Sequence, residues 1–148
     1  MLWWQRTAAA VTMLLGACGG AQQGGGGGGG EEVPWSEKTR SQRMHYMREV
    51  VAPEMNKVFV GYDGERFKDF GCPTCHGENM QKVGFKMPND LPALAGEGTL
   101  EKARARDSKM TDFMEQRVVP RMAELLHSEP GPVSGSGAFD CFDCHPRQ

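Results

Sequence analysis

Two stretches of the chain carry apolar residues at helical spacing. Met47, Val51, Met55 and Val58 fall at i, i+4, i+8 and i+11, and Met114, Val118, Met122 and Leu125 repeat those intervals. Such a stripe lies along one side of an α-helix and predicts two amphipathic helices. The surrounding segments, 46–59 and 113–126, align at a constant offset of 67: each has Met, five residues, Pro, one residue and Met. Pro53 and Pro120 interrupt the stripes, and each removes one helical hydrogen bond. Either a bend over whatever the apolar side covers or a division into two short helices is expected there. Residues 81–98 hold prolines, glycines and an asparagine without periodicity and read as an irregular linker. Residues 99–107 suit a short helix, with Lys102, Arg106 and Lys109 along one face. That face is either simply solvated or a docking patch for an acidic partner. The expected fold class is all-α: two pseudo-repeated units of helix, loop and turn at about 43–80 and 110–148, joined by linker 81–109.

The start of the chain has a different pattern. Arg6 is the only charge before Glu31, and an apolar run follows it from Ala8 to Leu15. The run is far short of the roughly 20 apolar residues that span a bilayer. A charged start, a short apolar run and a small-residue exit predict a secretory signal over residues 1–17. Seven consecutive glycines, Gly24 to Gly30, make residues 18–32 a flexible tether. The folded domain is expected over 33–148, which is room for one ordinary domain.

Composition narrows the chemistry. A formal net charge of −2 is too small for electrostatic capture of nucleic acid, so no nucleic-acid partner is expected. The five cysteines are more informative. Four of them lie in Cys72-Pro73-Thr74-Cys75-His76 and Cys141-Phe142-Asp143-Cys144-His145, two copies of C-x-x-C-H. This is the attachment pattern of a c-type haem. Two thiols on one helical turn can add to the two vinyl groups along one haem edge, and the next residue offers an imidazole to the iron. A thioredoxin-like C-x-x-C needs a βαβ context, which the flanking sequence lacks. A Cys2His2 zinc site would need a second histidine. Two covalent haems therefore account for Cys72, Cys75, Cys141 and Cys144, with His76 and His145 as proximal iron ligands. Phe70 and Phe139 each stand two residues ahead of a motif.

The repeated methionines supply candidates for the opposite side of each iron. Methionine often just fills irregular core space. Here the same two positions are methionine in both copies, and a thioether is the usual sixth ligand where a c-type haem carries electrons. Met55 and Met122 lie 17 and 19 residues before their motifs, whereas Met47 and Met114 lie 25 and 27 before. The shorter loops favour Met55 and Met122, with Met47 and Met114 as alternatives. Met87 is a rival for the first iron. His45 and His127, enough in number for bis-histidine ligation, occupy non-equivalent positions in the repeat. Only three residues follow His145, so an upstream ligand is expected there.

A methionine-bearing helix followed by a loop and C-x-x-C-H resembles the repeat unit of the cytochrome subunit of photosynthetic reaction centres. The chain is also similar to small dihaem cytochrome lipoproteins of bacteria. The likeness covers about residues 43–80 and 110–148, and departs from the reaction-centre pattern in having two haem motifs rather than four. Leu15-Gly16-Ala17-Cys18 resembles the lipobox of bacterial lipoproteins, which implies diacylglycerol on Cys18. Gly19 rather than aspartate after it weakly favours the outer membrane. Together these resemblances imply an electron carrier, not an enzyme, held in the cell envelope by a lipid anchor and facing the periplasm. Its partners would be redox proteins of the envelope. The rivals are a haem enzyme or a gas- or peroxide-binding protein with one five-coordinate iron, and a haem subunit of a larger oxidoreductase.

Overall fold

The computed structural model describes residues 33–131 and 138–148. The expected signal segment, the expected lipidation site Cys18 and the expected tether 18–32 lie outside the described residues. Within these the chain is helical and has no strand, which meets the all-α expectation. Only two isolated bridges occur there, Leu94 with Arg147 and Pro130 with Phe139. None of the helices described is long and apolar enough to cross a membrane.

The first helical run starts with α1 (Arg40–Tyr46). Thr39 caps it: its hydroxyl accepts from the Gln42 N–H at 3.3 Å, and the Gln42 side chain accepts from the Thr39 N–H at 2.8 Å. The backbone continues through a π-helical segment, Met47–Val51, directly into α2 (Ala52–Tyr62). After α3 (Cys72–His76) and α4 (Thr99–Arg106), the second run starts with α5 (Ser108–Phe113). The Asp107 carboxylate caps α5 by accepting from the Met110 N–H at 3.0 Å. This run likewise passes through a π-helical segment, Met114–Val118, into α6 (Val119–Leu125).

The two π-helical segments sit where the prolines require them. A proline inside an α-helix offers no N–H, and its ring collides with the carbonyl four residues back. Ahead of Pro53 and Pro120, Ala52 and Val119 donate to the carbonyls of Met47 and Met114, five residues back. The turn widens and the helix continues, so the division into two short helices is not found. The widening also redirects side chains. In a regular α-helix eight residues leave i and i+8 about 80° apart. One extra residue absorbed in the wide turn removes about 100° of rotation, bringing i and i+8 within about 20° of each other. Met47 and Met55 thereby share a face, as do Met114 and Met122.

The two runs pack antiparallel. Near the start of the first run, the Tyr46 hydroxyl donates to the Leu125 carbonyl at the end of the second, at 2.7 Å. Near the start of the second, Phe113 stacks on Tyr62 at 4.0 Å and meets Phe59 edge-on at 5.2 Å. Between these contacts Arg121 pairs with Glu54 at 2.8 Å, each residue directly following its proline. The packing is reciprocal: α2 lies on Met114–Val118 and α6 on Met47–Val51. Val51, Met55, Phe59, Phe113 and Leu125 form the buried core, and Phe59 also touches Phe67 and Phe70.

The expected helix over 99–107 is α4, but its basic face is not continuous. Asp107 is extended and starts a new helix, so Lys109 belongs to α5 and does not share a helical face with Lys102 and Arg106. Arg104 spans this corner and pairs with Asp112 at 3.0 Å and with Glu115.

Candidate cofactor site

Both C-x-x-C-H motifs form single helical turns. The first is α3, in which the Thr74 hydroxyl accepts from the Gly71 N–H at 3.1 Å. The second is a 3-10 turn, Cys141–Asp143, in which the Asp143 carboxylate accepts from the Asp140 N–H at 2.7 Å. The Asp140 carboxylate accepts from the Phe142 N–H, also at 2.7 Å, and the His145 N–H closes the turn on the Cys141 carbonyl at 2.9 Å. In each motif the residue before the second cysteine folds back onto the N–H that precedes the first. The spacing of thiols and imidazole is thus fixed locally.

The tertiary structure brings the motifs to one place. Cys72, Cys75, His76, Cys144 and His145 all line a single cavity of about 1360 Å³. Ordinary ligand pockets hold about 300–1,000 Å³. Cys141 instead lines a separate pocket of about 250 Å³ with Val119 and Pro120. All eight methionines among the described residues line the large cavity: Met44, Met47, Met55, Met80, Met87, Met110, Met114 and Met122. The favoured pair Met55 and Met122, the alternatives Met47 and Met114, and the rival Met87 are therefore all present at its wall. Met55 is the most deeply buried of the core side chains that line it, at 2% exposure. His45 and His127 are exposed and do not line the cavity, so the bis-histidine arrangement is not assembled in this structure.

The remaining wall is aromatic and cationic. Phe59, Phe67, Phe70, Phe85 and Phe139 contribute rings, and Lys38, Arg40, Arg43, Arg48, Arg66 and Lys86 contribute positive charge against the one carboxylate of Asp143. Burial pushes the Cys75 thiol up to about 11 and the Cys144 thiol up to about 12. Cys75 also adds to the rise at Cys144, so the two motifs feel each other's charge. Burial raises Cys141 as well. Redox-active C-x-x-C thiols are held low instead. Among the described residues no three His, Cys, Asp or Glu side chains stand close enough together to hold a bare metal ion.

The histidines are held differently. His145 Nδ1 lies 2.9 Å from the Pro92 carbonyl. A carbonyl only accepts, so Nδ1 is the donor, which in the neutral tautomer leaves the lone pair on Nε2. His76 Nδ1 is buried without a hydrogen-bond partner, and its ring stands edge-on to Phe85 at 5.7 Å. Burial lowers the His76 pKa below 6.5 and favours the neutral imidazole.

The linker contributes contacts to the two histidine turns that the spacing of apolar positions did not reveal. The Asn89 amide donates to the His76 carbonyl at 2.7 Å and to the Asn79 side chain at 2.5 Å. Leu94 donates to the Pro146 carbonyl and accepts from the Gln148 N–H, both at 2.8 Å. Residues 89–94 thus hold both histidine turns. Compared with known protein families, curated proteins and solved structures, the chain shows no match.

Proposed function

We propose that this chain is a dihaem c-type cytochrome that relays single electrons in the bacterial cell envelope. The observation that carries this reading is that both C-x-x-C-H turns, Cys141 excepted, meet at one methionine-lined cavity. The residues fit such a group. A haem is a flat apolar ring with carboxylates at one edge and an iron that takes nitrogen and thioether ligands. The cavity offers aromatic walls, an excess of cations, imidazoles and methionines. His145, with its Nδ1 engaged by the Pro92 carbonyl, and His76, whose burial favours the neutral imidazole, would each offer Nε2 to an iron.

When bound, each haem supplies a one-electron couple at its iron. The protein's part is to hold and insulate. Cys72 with Cys75, and Cys141 with Cys144, anchor the two groups through thioether bonds. His76 and His145 supply the proximal nitrogens, and Met55 and Met122 are the favoured distal sulfurs. Thioethers stabilise the reduced metal and raise its potential. The phenylalanines keep water away, which tunes the same potential. With His76 and Met55 on one iron and His145 and Met122 on the other, neither iron would be left open to a substrate, which favours a carrier over an enzyme. The two helical runs, each with a wide turn ahead of its proline and with reciprocal packing, support a pseudo-repeat with one haem per unit. A lipid on Cys18 would tether the domain to the membrane, where its partners are envelope redox proteins.

Protein matured in a bacterial host that attaches c-type haem, analysed by intact mass and by the alkaline pyridine spectrum, tests this reading. The expected result is two haems per chain. Bare polypeptide would overturn it, and fast, tight carbon monoxide binding to the untreated ferrous protein would favour a five-coordinate haem protein.

A further inference from the structure

The segment 89–94 touches both histidine turns, but in unequal ways. At the second motif it reaches the ring itself, through the Pro92 carbonyl and His145 Nδ1 at 2.9 Å. Backbone bonds of Leu94 to Pro146 and Gln148, 2.8 Å each, clamp the segment to the residues that follow His145. At the first motif it reaches only the backbone, through Asn89 and the His76 carbonyl. The His76 ring nitrogen is left buried and without a partner. Close packing fixes this arrangement, because the position a Cβ would take at Gly77 lies 2.5 Å from the Asp90 Cβ.

A ring N–H that donates to a carbonyl makes the other ring nitrogen a more basic ligand. A more basic ligand stabilises the ferric over the ferrous iron, and hydrogen bonding of this kind is one of the protein's levers on haem potential. We infer that the strap 89–94 makes the two irons unequal, with the iron at His145 at the lower potential, so that electrons run from the His145 side to the His76 side. This rests on the dihaem reading above. In that transfer the ferrous iron at His145 gives one electron and becomes ferric, and the ferric iron at His76 takes it and becomes ferrous. No proton moves, since the bond from Nδ1 to Pro92 is kept in both states. Pro92 and Leu94 act here as positioning residues, through His145.

Mature protein labelled with 15N-histidine, reduced stepwise under potential control and followed by NMR, tests the order without altering any ligand. The His76 ring signals are expected to reach their ferrous positions first, and absorption is expected to show two separate one-electron waves. Reversed order, or a single wave with both rings changing together, would overturn the inference while leaving the dihaem reading intact. Bare polypeptide by mass would remove both. The variant Leu94→Pro lacks the N–H that holds Pro146 and is expected to move the lower wave towards the higher one. An unmoved lower wave in a variant that retains both haems would overturn the role given to the strap.

Discussion

Gly77 offers the sharpest test of how the first histidine turn is seated. It follows His76 directly, with φ of 73° and ψ of 165°. That region is almost closed to residues with a Cβ, and occupying it costs about 1–3 kcal/mol. An added Cβ would also lie 2.5 Å from the Asp90 Cβ and 3.3 Å from its Cα. Forcing that contact adds about 1–3 kcal/mol, as overpacking does in other interiors. Gly77→Ala is therefore expected to destabilise the mature protein by about 2–6 kcal/mol. Gly61 is the matched control. It lies within α2 and nothing stands within 4 Å of its Cβ position, so Gly61→Ala should stabilise by about 0.5–1 kcal/mol. Urea unfolding of the wild type and both variants measures the difference, with an unchanged slope as evidence that only stability has moved. If Gly77→Ala unfolds within about 0.5 kcal/mol of wild type, a change typical of neutral surface sites, the seating of this turn against Asp90 is wrong.

Met55→Ala should cost about 2–5 kcal/mol, because the side chain is 2% exposed, and should also remove the methionine-to-ferric-haem absorption in the far red from one haem. Met122→Ala should remove that absorption from the other haem. Full retention of the band in both variants would move the distal role to Met47 or Met87 at the first iron and to Met114 at the second. Haem-free protein should be largely unfolded, since so small a core bordering a cavity of about 1360 Å³ leaves little to hold it together; circular dichroism showing full native helicity would contradict this. The Glu54 carboxyl is held below its ordinary 4.5 by the hydrogen bond from Lys57 and then that from Arg121. Its contribution to stability is present above pH 4.5 and lost as pH falls through the lowered value. Glu54→Gln should flatten that acid limb, and molar salt should weaken it in the wild type. Superimposable acid limbs for variant and wild type would show that the pair with Arg121 contributes nothing.

The sequence by itself determined what is local. C-x-x-C-H sets thiols and imidazole on one turn whatever surrounds it, and the thiol-to-imidazole spacing needs only the N–H bonds to Thr74 and Asp143 to hold it. The apolar stripes fixed the helical character of both runs, because burying one side of a helix requires that period. Three other features depended on contacts between distant residues. The methionine positions eight apart looked only loosely aligned until the wide turns ahead of Pro53 and Pro120 rotated them onto one face, and no count of residues gives that rotation. Lys109 left its expected face because the Asp107 carboxylate was more useful as a cap than as a link in one long helix. The meeting of Cys75 with Cys144, and of Pro92 with His145, joins residues 69 and 53 apart in the chain. Such partners are chosen by how two antiparallel helical runs bury their apolar sides against each other. That choice is made by the folded chain as a whole, and no short stretch of sequence carries it.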